Sequence, residues 1–227
     1  MNDPSILLTI AVLGGTGKEG KGLAYRWAKA GYRVLIGSRS VEKAIAAASE
    51  IVQLLEGEGS IVGMLNLEAA QQANIAVLTV PYSAHRDTLE SVKNALKGKI
   101  LIDVTVPIVP PKITKVQMPS AGSAAQEAQQ ILGEGAQIAS AFQNISHEHL
   151  LLDEEVECDV LVTGTSKDAR NETLKLVAAA GLTGWDAGPI ENSVVVEGLT
   201  SVLININKQY GSTHSGIKIT GANRTKS

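Results

Sequence analysis

One short stretch constrains this chain more than any other. An aliphatic run, Ile6–Leu13, breaks directly into Gly14, Gly15, Gly17 and Gly20. An unbroken apolar run of this length reads as a strand buried on both faces, which is the setting of a parallel sheet. The glycines then force a turn and open a helical stretch from about Lys18 to Ala30, with Gly31 placed as its C-cap glycine. In Gly15-Thr16-Gly17-Lys18-Glu19-Gly20 each glycine has its own task. Gly15 serves the tight turn, Gly17 leaves the backbone bare, and Gly20 lets the helix lie close to the strand.

The same alternation continues downstream. Strands are expected at Arg33–Gly37, Ser60–Met64, Ile75–Val80, Ile100–Val106 and Ala136–Phe142. Between them lie helical stretches at Val41–Glu56 (N-cap Ser40), Leu67–Gln72 (Asn66 as cap), His85–Leu96 and from Ser123 to about Leu132. Pro107, Pro110 and Pro111 mark a loop. Short connections between alternating strands and helices predict an α/β fold, a Rossmann-type doubly wound parallel sheet. Composition shifts after Phe142: His147–Asp159 is acidic, then a strand at Asp159–Thr163 and helices at Asp168–Ala180 and Ser193–Asn207 are expected. We therefore divide the chain into a domain over residues 1–142 and a smaller C-terminal α/β domain over 143–227, with a frayed tail from Gly221 to Ser227.

Composition removes several function classes. Of 227 residues 44% are hydrophobic, enough for a core, and only 3% are aromatic. Tyr25, Trp27, Tyr32, Tyr82, Phe142, Trp185 and Tyr210 carry all the rings. Few stacking platforms and a net charge of −3 argue against nucleic acid as a partner. A single cysteine, Cys158, excludes an internal disulfide framework and a multi-cysteine zinc site, and reads as a buried small residue. There is no run long and apolar enough to span a membrane and no secretory signal pattern at the start, so a cytoplasmic setting is expected.

A G-x-G-x-x-G between a buried strand and a helix presents free N–H groups and a positive helix end to a pyrophosphate. The end of the second strand discriminates between dinucleotides. A carboxylate there would bond a ribose 2′-hydroxyl, but the residues are Gly37-Ser38-Arg39-Ser40, with Lys43 following. Ser38, Arg39 and Lys43 suit a 2′-phosphate, which predicts NADP rather than NAD. Later strand ends, Val80-Pro81-Tyr82 with His85 a turn on, and Thr105-Val106-Pro107, are expected to line the same crevice.

No protein acid or base stands out. Tyr25 and Lys29 have the Tyr-x-x-x-Lys spacing of a short-chain dehydrogenase but lie in the first helix. His147-Glu148-His149 lacks further ligands for a metal. Hydride transfer between two cofactors depends on stacking and orientation and needs no such groups. A cofactor-to-cofactor oxidoreductase with no catalytic side chain of its own fits, its second partner left open.

The residues resemble the coenzyme F420-dependent NADP reductases. The stretches that carry the resemblance are Ala11–Gly22, Ile36–Lys43, Ala76–Pro81, Ile102–Ile108, Ser123–Ala125, Ser140–Leu150 and Asp186–Asn207, and it extends to about Thr220. It implies a Rossmann domain, a C-terminal domain closing a deazaflavin cleft, and a homodimer. It also implies that Thr16, Gly17, Lys18 and Glu19 hold the pyrophosphate and Ser38, Arg39 and Lys43 the 2′-phosphate. Val80, Ala84 and Val106 would line the adenosine and nicotinamide path. Asn144-Ile145-Ser146-His147 and Ser215-Gly216 would contact nicotinamide and deazaflavin. His147, His149 and His85-Arg86 depart from the family's pattern. Two other readings stay open: an NADPH-dependent reductase of a flavin or another acceptor, and a non-catalytic NADPH-sensing module.

Overall fold

The computed structural model describes residues 8–151 and 155–222. The expected strand residues Ile6 and Leu7, the acidic Asp153 and Glu154, and the end of the tail lie outside the described residues.

Eight strands form one sheet in the order β3-β2-β1-β4-β5-β6-β7-β8. β1 (Thr9–Leu13), β2 (Arg33–Ser38), β3 (Ser60–Leu65), β4 (Ile75–Leu78), β5 (Ile100–Asp103) and β6 (Gln137–Ser140) are all parallel. Their order is that of the dinucleotide-binding doubly wound sheet. β7 (Asp159–Gly164) runs antiparallel to β6, and β8 (Thr183–Pro189) parallel to β7.

The period of two along each strand builds two cores. Ile10 and Val12 of β1, with Val34 and Ile36 of β2, face one side. There they meet α1 (Lys18–Lys29), α2 (Val41–Leu54) and α6 (Lys167–Ala179). Ala11, Leu13 and Leu35 face the other, against α3 (Asn66–Gln72), α4 (Tyr82–Val92) and α5 (Ala124–Leu132). This explains why the strands read as unbroken apolar runs.

Several expectations are corrected. β4, β5 and β6 stop at Leu78, Asp103 and Ser140, short of the expected Val80, Val106 and Phe142. Each keeps one more sheet-like bond (Thr79 N to Leu13 O, Val104 N to Leu78 O, Ala141 N to Asp103 O) and then splays away. The residues splayed from β4 and β5 become cleft walls, whereas Ala141 and Phe142 after β6 stay in the core. α4 begins at Tyr82, not His85, and ends at Val92, where a 3-10 turn over Lys93–Leu96 takes over. α7 (Ser193–Tyr210) runs one turn past Asn207, to the left-handed Gly211. β8 went unforeseen. Its sequence, Thr183-Gly-Trp-Asp-Ala-Gly-Pro189, has neither an apolar run nor alternation. Its register with β7 and a Trp185 Nε1–H bond to Asp159 Oδ2 hold it.

Residues after 142 are tied to α1, the helix that the glycine loop opens. Trp27 Nε1–H donates to Leu176 O of α6. Arg26 donates to the carbonyls of His149, Leu150 and Ala180.

Candidate cofactor clefts

The carboxyl edge of the parallel strands holds two adjoining clefts, of about 390 and 540 Å³. They share Gly17, Thr79, Val80 and Pro81.

The glycine loop is fixed by contacts of different kinds. The left-handed residue is Gly14 (φ 70°), not Gly15, and a Cβ there would strike Val80 Cγ1 at 2.3 Å. Gly15 is needed for a different reason: a Cβ would sit 2.7 Å from Val12 O. At Gly20 a Cβ would meet Gly15 Cα and Thr79 Oγ1, both at 2.7 Å. At Gly17 a Cβ would meet nothing within 4 Å, so this backbone faces open space. Gly17 is also the N-cap of α1 and no side chain caps it. The free N–H groups of the first helical turn therefore open onto the cleft.

Asn66 corrects a further expectation. It is not the cap of α3; that position is Leu65, whose N–H bonds Glu68 Oε2. Instead Asn66 Oδ1 accepts from Gly14 N at 3.1 Å. Gly37 makes the reach possible, since a Cβ there would lie 2.6 Å from that oxygen.

The first cleft is lined by Thr16, Gly17, Ser38, Arg39, Lys43, Asn66, Val80 and Ala84, among others, and by no carboxylate. Ser38 is buried and its Oγ accepts from Ser40 N. Ser40 caps α2 through Lys43 N, which plants Lys43 in the helix's first turn. Arg39 and Lys43 are exposed and make no salt bridge among the described residues. Two uncompensated cations beside a serine and a helix start suit a doubly charged phosphate.

Lys18, Glu19, Gly20, Val80, Val106 and Ile145 line the second cleft, with Tyr82, Gln143 and Thr200. Its walls are mostly aliphatic, and Tyr82 is the one aromatic residue among them. The Tyr82 hydroxyl donates to Glu127 Oε2, and burial pushes it up to about 12.

His85 is corrected as a cleft residue. It is 1% exposed and turned into the protein, with Nε2 2.7 Å from Asp103 Oδ2. Asp103 in turn accepts from Thr105 N and, through its carbonyl, from Gln143 Nε2. The pair thus supports two walls of the second cleft from behind. Neither it nor Glu197, whose carboxylate accepts from Ala124 N and Ala125 N, was legible as a site element.

A third hollow of about 280 Å³ continues past Gln143 and Ile145 and contains Asn144, Ser146, His147 and Ser215. Asn144 Nδ2 donates to Val196 O and Thr200 Oγ1 of α7. Gln143 Oε1, Asn144 Oδ1 and His147 Nε2 are buried without a hydrogen-bond partner among the described residues. One segment thus concentrates unsatisfied polar atoms, the condition of a surface built for a polar ligand. Gly216 lies behind it, packed on Cys158, whose burial raises the thiol above its usual value. Of the residues expected from the sequence, Gly15 acts within the turn, and His85, Pro107 and Gly216 line none of these three spaces; the others do.

Comparison with known proteins now bears on this geometry. The family model described as NADP oxidoreductase, coenzyme F420-dependent, matches residues 9–107. The F420-dependent NADP reductase of Methanothermobacter marburgensis is 42% identical over 221 residues, 94% of this chain and 98% of its own. That of Methanocaldococcus jannaschii is 38% identical over 94% of this chain and 98% of its own. The chain belongs to the F420-dependent NADP reductase family. A solved protein from Arthrobacter sp. FB24, itself assigned as an F420-dependent NADP reductase, superposes with a TM-score of 0.78 at 24% identity. It covers 94% of this chain and 99% of its own, so the fold is shared over nearly the whole chain. The family model ends within the second cleft, at Pro107, whereas the full-length relatives extend the match over the Gln143–His147 segment and α7. Among the described residues no helix is long and apolar enough to cross a membrane.

Proposed function

We propose that this chain is an oxidoreductase transferring a hydride reversibly between coenzyme F420 and NADP. One observation carries the reading: a cleft with two unpaired cations and a bare glycine turn runs directly into a second, aliphatic cleft. Such a pair suits a phosphate-bearing dinucleotide whose far end meets a second flat ring. When both are bound, the deazaflavin and the nicotinamide supply the hydride chemistry themselves.

The protein's part is binding and alignment. Ser38, Arg39 and Lys43 hold the 2′-phosphate. Gly15, Thr16, Gly17, Lys18, Glu19 and Gly20 form the pyrophosphate loop. Val80 and Ala84 lie along the adenosine side, and Val106 with Ile145 offers an aliphatic face to the stacked rings. Asn144, Ser146, His147 and Ser215 form the far contact, presented by residues 143–227 as a unit that closes over residues 1–142. A chain poor in aromatics fits this arrangement, because each cofactor ring serves as the other's stacking partner.

The exposed Val195 and Val202 on α7, next to the loop whose half-exposed Val116 packs on Gly198, support a homodimer. We place the enzyme in the cytoplasm.

Anaerobic incubation with reduced F420 and NADP should discharge the deazaflavin absorbance. Turnover of FMN or riboflavin with F420 inert would favour a flavin reductase instead. Arg39→Asp should raise the KM for NADP by about ten- to a hundred-fold, the worth of one charge-assisted contact of roughly 1.5–3 kcal/mol, and leave that for NAD nearly unchanged. Equal effects on both would overturn the 2′-phosphate assignment.

A further inference from the structure

Glu19 poses an electrostatic problem. It stands in the first turn of α1, two residues after Gly17, and lines the second cleft beside Lys18 and Gly20. That is the wall a pyrophosphate must pass. An ionised carboxylate there would repel the two phosphate charges.

Glu19 stands at the positive end of α1 beside Lys18, but no group pairs with its carboxylate directly. It is partly buried and makes no hydrogen bond or salt bridge among the described residues. The cleft around it is walled by Val104, Val106, Ile108 and Ile145, and its only other ionisable residues are Lys18 and Tyr82. The turn His147–His149 packs against α1. Glu50 of α2 faces the same helix but is paired with Lys21.

We propose that Glu19 meets the dinucleotide as a neutral carboxylic acid, donating its O–H to the pyrophosphate, so that NADP binding is coupled to protonation of this one side chain. The inference rests on the cofactor placement proposed above. Desolvation supports it by lifting the Glu19 carboxyl to about 8. Near neutral pH the acid form then predominates, and the loop binds a polyanion without a like charge in its wall. In alkaline solution the proton must be taken up as NADP binds.

The test is titration calorimetry of NADP into the whole protein and into Glu19→Gln at about pH 8, in two buffers of different ionisation enthalpy. Wild type should take up about half a proton more than Glu19→Gln, because a group of that pKa is half ionised there. The difference between the two proteins isolates Glu19 from Glu197, which titrates in the same range. Wild-type affinity should fall about tenfold from pH 7 to 9, while Glu19→Gln changes much less. Arg39→Asp, measured alongside, reports on the placement. Loss of affinity in Arg39→Asp with identical proton uptake in wild type and Glu19→Gln overturns the role of Glu19 alone. No NADP binding to wild type, or binding indifferent to Arg39, overturns both.

Discussion

Asn66 and Gly14 are 52 residues apart, yet the Asn66 amide oxygen takes the Gly14 N–H at 3.1 Å. The bond pins the left-handed residue that starts the glycine turn, from a helix on the opposite face of the sheet. Asn66 also lines the first cleft. Asn66→Ala should therefore loosen the turn as well as cost a hydrogen bond worth about 1 kcal/mol. We expect the Kd for NADP to rise about fivefold with a modest drop in Tm. Fluorescence titration of bound NADPH, paired with thermal melts, would check it. An unchanged Kd would mean the turn keeps its shape unaided.

Gly17 and Gly20 lie three residues apart and should respond oppositely to alanine. At Gly20 the added Cβ collides with the Gly15 backbone, so Gly20→Ala should destabilise the fold by about 1–3 kcal/mol. At Gly17 the Cβ projects into open space and the backbone is extended, so Gly17→Ala should fold within about 0.5 kcal/mol of wild type. The loss at Gly17 should appear in NADP affinity instead, because the methyl group stands where the phosphates approach. Urea denaturation and NADPH titration of both variants separate the two roles. A destabilised Gly17→Ala with normal affinity would contradict the assignment.

The contrast between these residues also shows what a sequence of this kind discloses. The glycine spacing, the absence of a carboxylate after Gly37 and the apolar runs of β1 and β4 are local features, and each corresponds to an observed element. β8 was hidden because what holds it, its pairing with β7 and the bond from Trp185 to Asp159, is long-range, while its own residues carry no strand period. Gly184 shows the same dependence: a Cβ there would lie 2.8 Å from Leu174 of α6, a constraint set wholly by packing. Asn66 looked like a cap because asparagine before a short helix commonly is one. Its true partner could not be read from nearby sequence. Of the residues supporting the clefts from behind, Asp103 and Glu197 were missed for the same reason, and His85 was expected in the cleft wall and not behind it.

His85 and Asp103 form a buried pair at 2.7 Å, each side chain 1% exposed. Burial disfavours the charged imidazole, but the Asp103 hydrogen bond and charge outweigh it and raise the His85 pKa. Removing one partner of such a pair leaves the other uncompensated, so Asp103→Ala should lose about 3–5 kcal/mol. A raised histidine contributes fully below its ordinary value of 6.5, and the contribution fades as pH climbs through the raised value. Asp103→Asn, which can donate to a neutral imidazole, should be milder and should lack that decline. Denaturant midpoints across neutral and alkaline pH test both statements. A steeper decline in Asp103→Asn than in wild type would refute the pairing.

Glu197 extends the pH argument to α7. Its carboxyl is fully buried and caps the start of α5 through Ala124 N and Ala125 N. Burial, and after it the negative Asp103, push the group up to about 8, against the pull of the two N–H donors. The native state then keeps a proton that the unfolded chain releases above the ordinary value of 4.5. Folding stability must accordingly fall as pH rises from 4.5 to about 8, and this contribution levels off beyond. Glu19 adds a slope of the same sign, so Glu197→Gln should flatten the decline without abolishing it. The variant should also start lower in acid, because the glutamine amide turns a donor toward one of the two N–H groups. Urea titrations between these limits would show the crossing of the two stability curves. Parallel curves for wild type and Glu197→Gln would place the proton elsewhere.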